Sequence, residues 1–141
     1  MINRIDHVGI AVRDLDATIE FYRRTFGMDV VHEETNEDQG VREAMLAVGD
    51  SGSCIQLLAP LSEDSPIGKF LAKNGEGIQQ MAYGVDDIDA FSAHLREAGV
   101  RLLYDTPKRG TANSRINFVH PKDAGGVLIE LVEAAADGHS H

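Results

Sequence analysis

The fold is decided by a stretch that occurs twice, as IDHVGIAVRDLDA at residues 5–17 and as IQQMAYGVDDIDA at residues 78–90. The two copies align without a gap, which indicates a duplicated folding unit. Each copy begins with alternating apolar residues, typical of a β-strand, and then reaches an aspartate, Asp14 or Asp87, suited to cap the N-terminus of a helix. Both copies therefore predict a strand followed by a helix.

Three more strands are predicted after each helix. The helices are expected to end at Gly27 and Gly99, because glycine readily adopts the left-handed conformation that closes a helix. Apolar runs bounded by turn residues predict strands at 28–34, 41–48 and 53–59 in the first copy, and at 101–104, 115–119 and 127–132 in the second. The closing strands also correspond, since IQL at 55–57 aligns with IEL at 129–131. The sequence therefore predicts an α+β protein with two modules of order βαβββ.

The duplication also predicts how the chain is divided. We expect one domain over residues 1–133, with modules at about 1–60 and 76–133 joined by a connector helix at 61–75. Residues 134–141 are mostly small and polar, so we expect them to form a disordered tail.

Composition and charge restrict the class of protein. Hydrophobic residues make up 43% of the chain and charged residues 26%, which is ordinary globular usage. The formal net charge is −10 and no run of Lys and Arg occurs, so a surface for nucleic acid or for an anionic membrane is not expected. Cys54 is the single cysteine, which excludes an internal disulfide, and no leader pattern precedes Ile5. We therefore expect a cytoplasmic protein.

Four polar residues interrupt the predicted apolar strands: His7, Gln56, Gln80 and Glu130. Strand side chains alternate between faces, so each of the four points away from its apolar neighbours. A pseudo-twofold relation between the modules would bring equivalent positions to one cleft, where an imidazole, two amide oxygens and a carboxylate suit a divalent metal ion. Each residue by itself could be structural, although a carboxylate within VLIELV (127–132) seldom stays buried without a partner. The correspondence between the copies favours the metal site.

Six segments together carry a resemblance to a known family: DHVGIAV (6–12), QGVRE (39–43), IQLLAP (55–60), DSPI (64–67), GEGI (75–78) and GGVLIEL (125–131). The sequence resembles the vicinal oxygen chelate superfamily of glyoxalases, bleomycin resistance proteins and dioxygenases, and within it the methylmalonyl-CoA epimerases. The resemblance covers nearly the whole chain. It implies two βαβββ modules forming a cupped mixed sheet around a metal-binding cleft, with the metal held by the residues that match His7, Gln56, Gln80 and Glu130.

One position departs from the family pattern. Where the family commonly has two adjacent histidines after Gly-Glu-Gly-Ile, this chain has Gln79 and Gln80. A ligand nitrogen thereby becomes an amide oxygen, so we expect weaker binding of the ion and a preference shifted toward harder metals.

The resemblance also implies an activity, which is the interconversion of the 2R and 2S forms of methylmalonyl-CoA through an enolate. It points to Glu43 as the general base, while the acid on the opposite face is either Glu130 or a metal-bound water. The implied metal is Co²⁺, with Mn²⁺, Zn²⁺ or Mg²⁺ as alternatives, and the implied assembly is a homodimer. Four basic residues are unranked candidates for contacts with the coenzyme A phosphates: Arg42, Lys108, Arg109 and Arg115. His32, His94 and His120 have no ligand counterpart in the repeat and receive no role.

Two other functions fit the same scaffold. A glyoxalase-like isomerase would apply similar metal chemistry to a glutathione adduct. A metal-free module, such as a resistance protein that sequesters a drug, would bind a ligand without any reaction. Bound divalent metal, or activity restored by it, would separate an enzyme from the metal-free module.

Overall fold

The computed structural model describes residues 1–136 and has the predicted order of elements. Eight β-strands and three α-helices lie within these residues: β1 (Ile2–Ala11), α1 (Leu15–Phe26), β2 (Val30–Asn36), β3 (Val41–Ala47), β4 (Cys54–Pro60), α2 (Pro66–Asn74), β5 (Gly77–Val85), α3 (Ile88–Glu97), β6 (Lys108–Arg109), β7 (Arg115–Val119) and β8 (Ile129–Glu133). The α+β class and the two βαβββ modules are confirmed. The extent of a single domain remains a prediction.

The predicted tail falls partly outside the described residues, which end at Ala136. Residues 134–136 follow β8 without forming a helix or a strand, and residues 137–141 are not described. Among the described residues, no helix has the length and apolar character needed to cross a membrane.

The chain forms two compact units that do not coincide with its two sequence copies. The N-unit is His7–Gln79, and the C-unit combines Met1–Asp6 with the described residues from Gln80 onward. Strand β1 therefore contributes its first half to the C-unit and its second half to the N-unit.

The N-unit is a four-stranded sheet of order β2-β3-β4-β1, in which β1 and β4 run parallel and the other pairs run antiparallel. One face packs against α1 through a cluster of buried residues: Val12, Leu15, Ala44, Leu46, Leu57 and Ala59. On the opposite face, Ala11 and Leu58 pack against Ile67 and Leu71 of α2. Helix α2 therefore covers one end of the face that carries the polar strand residues.

The helix ends follow the capping chemistry expected from the sequence. The Asp14 carboxylate accepts a hydrogen bond of 3.0 Å from the Ala17 amide, and Gly27 ends α1 with a φ of 66°. Asp87 caps α3 in the same way through the Ala90 amide. Helix α2 begins at Pro66 because Ser65 caps it, so the residues from 61 to 65 of the predicted connector precede the helix.

The C-unit contains strands in the order β5-β8-β7-β6, with the first residues of β1 beside β5. Strands β5 and β8 are parallel, as β1 and β4 are in the N-unit. Helix α3 covers one face through Ile88, which packs with Val85, Val119 and Leu131. The repeat in sequence is thus also a repeat in strand pairing.

The strand predicted at 101–104 was wrong, since this segment forms only a single bridge between Leu102 and Val119. The reason lies in Asn117, a fully buried side chain on β7. Its amide accepts a hydrogen bond of 3.1 Å from the Tyr104 backbone N–H and donates one of 3.0 Å to the Tyr104 carbonyl. The Asn117 side chain thereby forms hydrogen bonds with the backbone N–H and C=O of Tyr104, which a longer strand would pair with a neighbouring strand. The short third strand, β6, forms at Lys108–Arg109 instead.

Replacing Asn117 by alanine is expected to destabilise the protein by about 1–3 kcal/mol, because it removes the two hydrogen bonds that this buried side chain makes with the Tyr104 backbone. Urea unfolding at neutral pH would measure the change in the free energy of unfolding. Asn74→Ala is the control, because Asn74 is an exposed residue at the end of α2. An Asn117→Ala protein as stable as wild type would contradict this explanation.

Candidate active site

Three of the predicted site residues lie in the N-unit, on neighbouring strands. His7 is on β1, Glu43 on β3 and Gln56 on β4, and each is only 3% exposed. The Gln56 Nε2 donates a hydrogen bond of 3.1 Å to Oε2 of Glu43. A carboxylate at this depth needs a hydrogen-bond donor, and the amide of Gln56 supplies one.

Strand register brings Gln56 and Glu43 together. Gln56 lies opposite Gly9 of β1 and opposite Met45 of β3, two residues from Glu43. His7 is two residues before Gly9, so the alternation of strand side chains places His7 and Gln56 on the same face. Helix α2 covers the other end of this sheet face, where it packs against Ala11 and Leu58.

The remaining two predicted ligands lie in the C-unit and also contact each other. Gln80 on β5 is 7% exposed and Glu130 on β8 is 6% exposed. The Gln80 Nε2 donates a hydrogen bond of 2.5 Å to Oε1 of Glu130. Each unit therefore contains one buried glutamine whose amide nitrogen donates to one buried glutamate.

The register confirms that the two copies are equivalent at these positions. Glu130 lies opposite Ala82 in the parallel pair of β5 and β8. Gln56 lies opposite Gly9 in the parallel pair of β1 and β4, and Gly9 aligns with Ala82 in the repeat. Gln56 and Glu130 therefore occupy equivalent positions, each in a parallel strand pair.

These hydrogen bonds identify which atoms suit a metal ion. In both glutamines the nitrogen donates to a carboxylate, so the amide oxygen is the atom that a cation would take. Within residues 1–136, no group of three or more His, Cys, Asp or Glu side chains is arranged to hold a metal. The predicted set contains only two residues of those types, His7 and Glu130, and would be completed by amide oxygens.

Two of the four basic candidates for phosphate contacts form salt bridges within the protein. Arg42 binds Asp16 with a shortest distance of 2.8 Å, and Arg115 binds Asp89 at 3.0 Å. The hydrogen bond between Arg42 and Asp16 lowers the pKa of the Asp16 carboxyl and raises the pKa of the Arg42 guanidinium. The hydrogen bond to Asp89 likewise raises the pKa of Arg115. Both guanidinium groups therefore have carboxylate partners already.

The other two basic candidates are held by weaker contacts. Lys108 lies over the ring of Tyr104, with its Nζ 4.4 Å from the ring centroid. Arg109 donates a hydrogen bond of 3.3 Å to the side chain of Asn113. Among the described residues neither forms an ion pair, which ranks them above Arg42 and Arg115 as cations for a phosphate.

Two residues without a predicted role lie on β2, the strand that pairs with the strand of Glu43. Glu34 of β2 is directly opposite Glu43, and His32 lies 2.6 Å from the Glu34 carboxylate. Strand alternation alone could not reveal them, because a β-bulge separates Val30 from His32.

Comparison with known proteins places the chain in a family. Residues 6–118 match the sequence profile of the Glyoxalase/Bleomycin resistance protein/Dioxygenase superfamily. The chain belongs to this superfamily. Enzymes of the superfamily typically use a divalent metal ion. The family resemblance inferred from the sequence is thereby confirmed.

Within the superfamily, the chain is similar to methylmalonyl-CoA epimerases. It is 43% identical to the ethylmalonyl-CoA/methylmalonyl-CoA epimerase of Cereibacter sphaeroides, over 93% of this chain and 98% of the relative. The crystal structure of methylmalonyl-CoA epimerase from Mycobacterium tuberculosis has 63% identity and a TM-score of 0.94, covering 96% of this chain and 91% of that one.

A Streptomyces coelicolor methylmalonyl-CoA epimerase variant in complex with 2-nitronate-propionyl-CoA has 57% identity and a TM-score of 0.94, covering 96% of this chain and all of that one. Similarity therefore extends over nearly the whole length of the chain and of these superfamily members.

Proposed function

We propose that this protein is a methylmalonyl-CoA epimerase that interconverts the 2R and 2S forms of its substrate. The observation that carries the proposal is the buried Glu43, held by Gln56 on the face that also bears His7. The similarity to epimerases at up to 63% identity supports the same activity.

Glu43 is the proposed general base. The reacting carbon of methylmalonyl-CoA lies between a carboxylate and a thioester, so loss of its proton gives an enolate. The Gln56 N–H donates a hydrogen bond to one carboxylate oxygen of Glu43 and thereby orients the carboxylate. Burial at 3% exposure keeps bulk water from the base. Positioned proton transfer of this kind contributes about 10²–10⁴-fold to the rate.

A divalent metal ion is proposed to be held by the imidazole of His7, the amide oxygens of Gln56 and Gln80, and the carboxylate of Glu130. These donors fit a cation, since both amide nitrogens are directed to carboxylates and all four side chains are at most 7% exposed. When bound, the ion supplies Lewis-acid stabilisation of the negative charge that develops on the substrate oxygen. Co²⁺ is the proposed metal, with Mn²⁺, Zn²⁺ and Mg²⁺ as its competitors in the assay.

Glu130 is the proposed proton donor on the opposite face of the substrate. Its carboxylate accepts a hydrogen bond of 2.5 Å from Gln80, which fixes one oxygen in the way that Gln56 fixes Glu43. Each of the two carboxyl groups therefore accepts a hydrogen bond from one glutamine.

The coenzyme A part of the substrate is proposed to meet Lys108 and Arg109, since neither forms an ion pair among the described residues. The proposed assembly is a homodimer in the cytoplasm. The free, buried thiol of Cys54 is compatible with a reducing compartment.

Replacing Gln80 by histidine is expected to tighten Co²⁺ binding by roughly tenfold, or about 1.4 kcal/mol, because an imidazole nitrogen suits this borderline metal better than an amide oxygen. Isothermal titration of the metal-free protein would measure both dissociation constants. Gln79→His is the matched control, because the side chain of Gln79 points to the opposite face of β5. Equal affinity of wild type and Gln80→His would remove Gln80 from the ligand set.

The activity itself is tested by conversion of one epimer of methylmalonyl-CoA into the other, after chelation and readdition of each metal. Restoration by a divalent ion is expected. A parallel assay with the hemithioacetal of glutathione and methylglyoxal distinguishes the glyoxalase-like alternative. Conversion of the hemithioacetal without conversion of methylmalonyl-CoA would refute the proposal.

A further inference from the structure

An epimerase with two proton-transfer groups must restore its own protonation after every turnover. If Glu43 removes a proton and the opposite group delivers one, Glu43 ends as a carboxylic acid and its counterpart as a base. Another molecule of the same epimer can react only after both groups have exchanged protons with solvent. Glu43 is 3% exposed, so its proton needs a path to the surface.

A β-bulge on β2 changes which side chains face Glu43. Val30 pairs with Leu46 of β3, but His32 pairs with Met45. The chain therefore advances by two residues on β2 while it advances by one residue on β3. Val30 packs with Leu46 in the core beneath α1. After the bulge, His32 and Glu34 share the opposite face, the one that carries Met45 and Glu43. Bulges commonly redirect side chains beside active sites.

Two ionisable groups beyond the bulge, Glu34 and His32, lead outward from Glu43. Glu34 lies directly opposite Glu43 in the antiparallel register, a relation that sets Cβ atoms about 4.5–5.5 Å apart. The Glu34 Oε1 lies 2.6 Å from Nε2 of His32. The exposed fraction of the side chain rises from Glu34, at 19%, to His32, at 30%. The three side chains therefore run from the buried Glu43 toward increasingly exposed positions.

We propose that Glu34 and His32 form a proton relay that returns Glu43 to its carboxylate form after each turnover. The proposal rests on the proposed epimerase function. Both residues act through Glu43 and do not touch the reacting carbon. Histidine suits the outer position because an imidazole nitrogen can both accept and donate a proton.

The relay moves one proton and forms no other bond. The Glu43 carboxylic acid gives the substrate-derived proton to the Glu34 carboxylate. Glu34 passes it to Nε2 of His32, and the resulting imidazolium releases one proton to water or to buffer. Glu43 and Glu34 are then both carboxylates and His32 is neutral, so one proton has moved from Glu43 to solvent.

The test compares His32→Gln and Glu34→Gln with Glu33→Gln and wild type. Glu33 is the matched control because it lies between the two relay residues, is 50% exposed and faces away from Glu43, toward Arg42. Neither His32→Gln nor Glu34→Gln can carry a proton, so each should lower kcat for net epimerisation by about 10²-fold. KM should fall by a similar factor, because recovery of Glu43 follows the chemical step and kcat/KM is therefore kept. Glu33→Gln should keep the wild-type kcat. Thermal denaturation checks that each variant is folded.

Two readouts separate a relay from a structural role. Rapid mixing of either relay variant with one epimer should show a burst of about one conversion per subunit at the wild-type rate, followed by a slow steady state. Imidazole added to His32→Gln should restore most of the lost kcat. Retention of the wild-type kcat, or a loss with neither burst nor rescue, would overturn the relay while wild-type epimerisation stands. Absence of epimerisation in the wild type would overturn the proposed function itself.

Discussion

Replacement of Glu43 by glutamine is expected to lower kcat for epimerisation by about 10²–10⁴-fold, because the variant has no group to take the α-proton. Glutamine keeps the size of the side chain, and its Oε1 can still accept the hydrogen bond from Gln56. KM should therefore change little. Steady-state kinetics with one epimer of methylmalonyl-CoA would measure both constants.

Glu37→Gln is the control for this experiment. Glu37 is exposed in the turn after β2, so loss of its charge should leave kcat unchanged. A comparable midpoint of urea unfolding for Glu43→Gln and wild type would show that the fold is intact. A folded Glu43→Gln enzyme with the wild-type kcat would exclude Glu43 as the base.

Replacement of Glu130 by glutamine is expected to weaken Co²⁺ binding by about 100-fold, or about 2.7 kcal/mol, because it removes the single anionic donor from the proposed ligand set. Gln80 can still donate its hydrogen bond to the new amide oxygen, so the local arrangement is kept. Isothermal titration of the metal-free protein gives the dissociation constant without reference to activity. Activity should fall with metal occupancy.

Glu133→Gln is the matched control for Glu130→Gln. Glu133 is on the same strand but on the opposite face, where it accepts a hydrogen bond of 3.0 Å from the Ile88 amide. The variant should bind Co²⁺ like the wild type. If Glu130→Gln also binds Co²⁺ like the wild type, Glu130 is not a ligand.

The repeat made most of the fold predictable from the sequence. Strand and helix positions followed from periodicity, and Asp14 and Asp87 could be identified as caps because capping depends on neighbours in the chain. The strand at 101–104 failed for the opposite reason. The Tyr104 backbone forms two hydrogen bonds with the side chain of Asn117, which is distant in sequence. Nothing in the sequence near Tyr104 indicates these hydrogen bonds.

The candidate site was predictable where alternation runs unbroken and not where it is interrupted. His7 and Gln56 could be assigned to one face by counting along regular strands. His32 could not be assigned to a face in this way, because the bulge after Val30 shifts the alternation of side chains by one residue. Only the pairing of β2 with β3 shows the bulge. The hydrogen bonds from Gln56 to Glu43 and from Gln80 to Glu130 also needed the structure, since they join different strands.

Exchange of the α-proton of methylmalonyl-CoA in D₂O, followed by NMR, tests the central claim most directly. With Co²⁺ present, the wild type should wash deuterium into the α-position, and Glu43→Gln should do so about 10²–10⁴-fold more slowly. Absence of exchange in the metal-loaded wild type would contradict the epimerase function. Equally rapid exchange in both proteins would leave the function standing and contradict the role of Glu43.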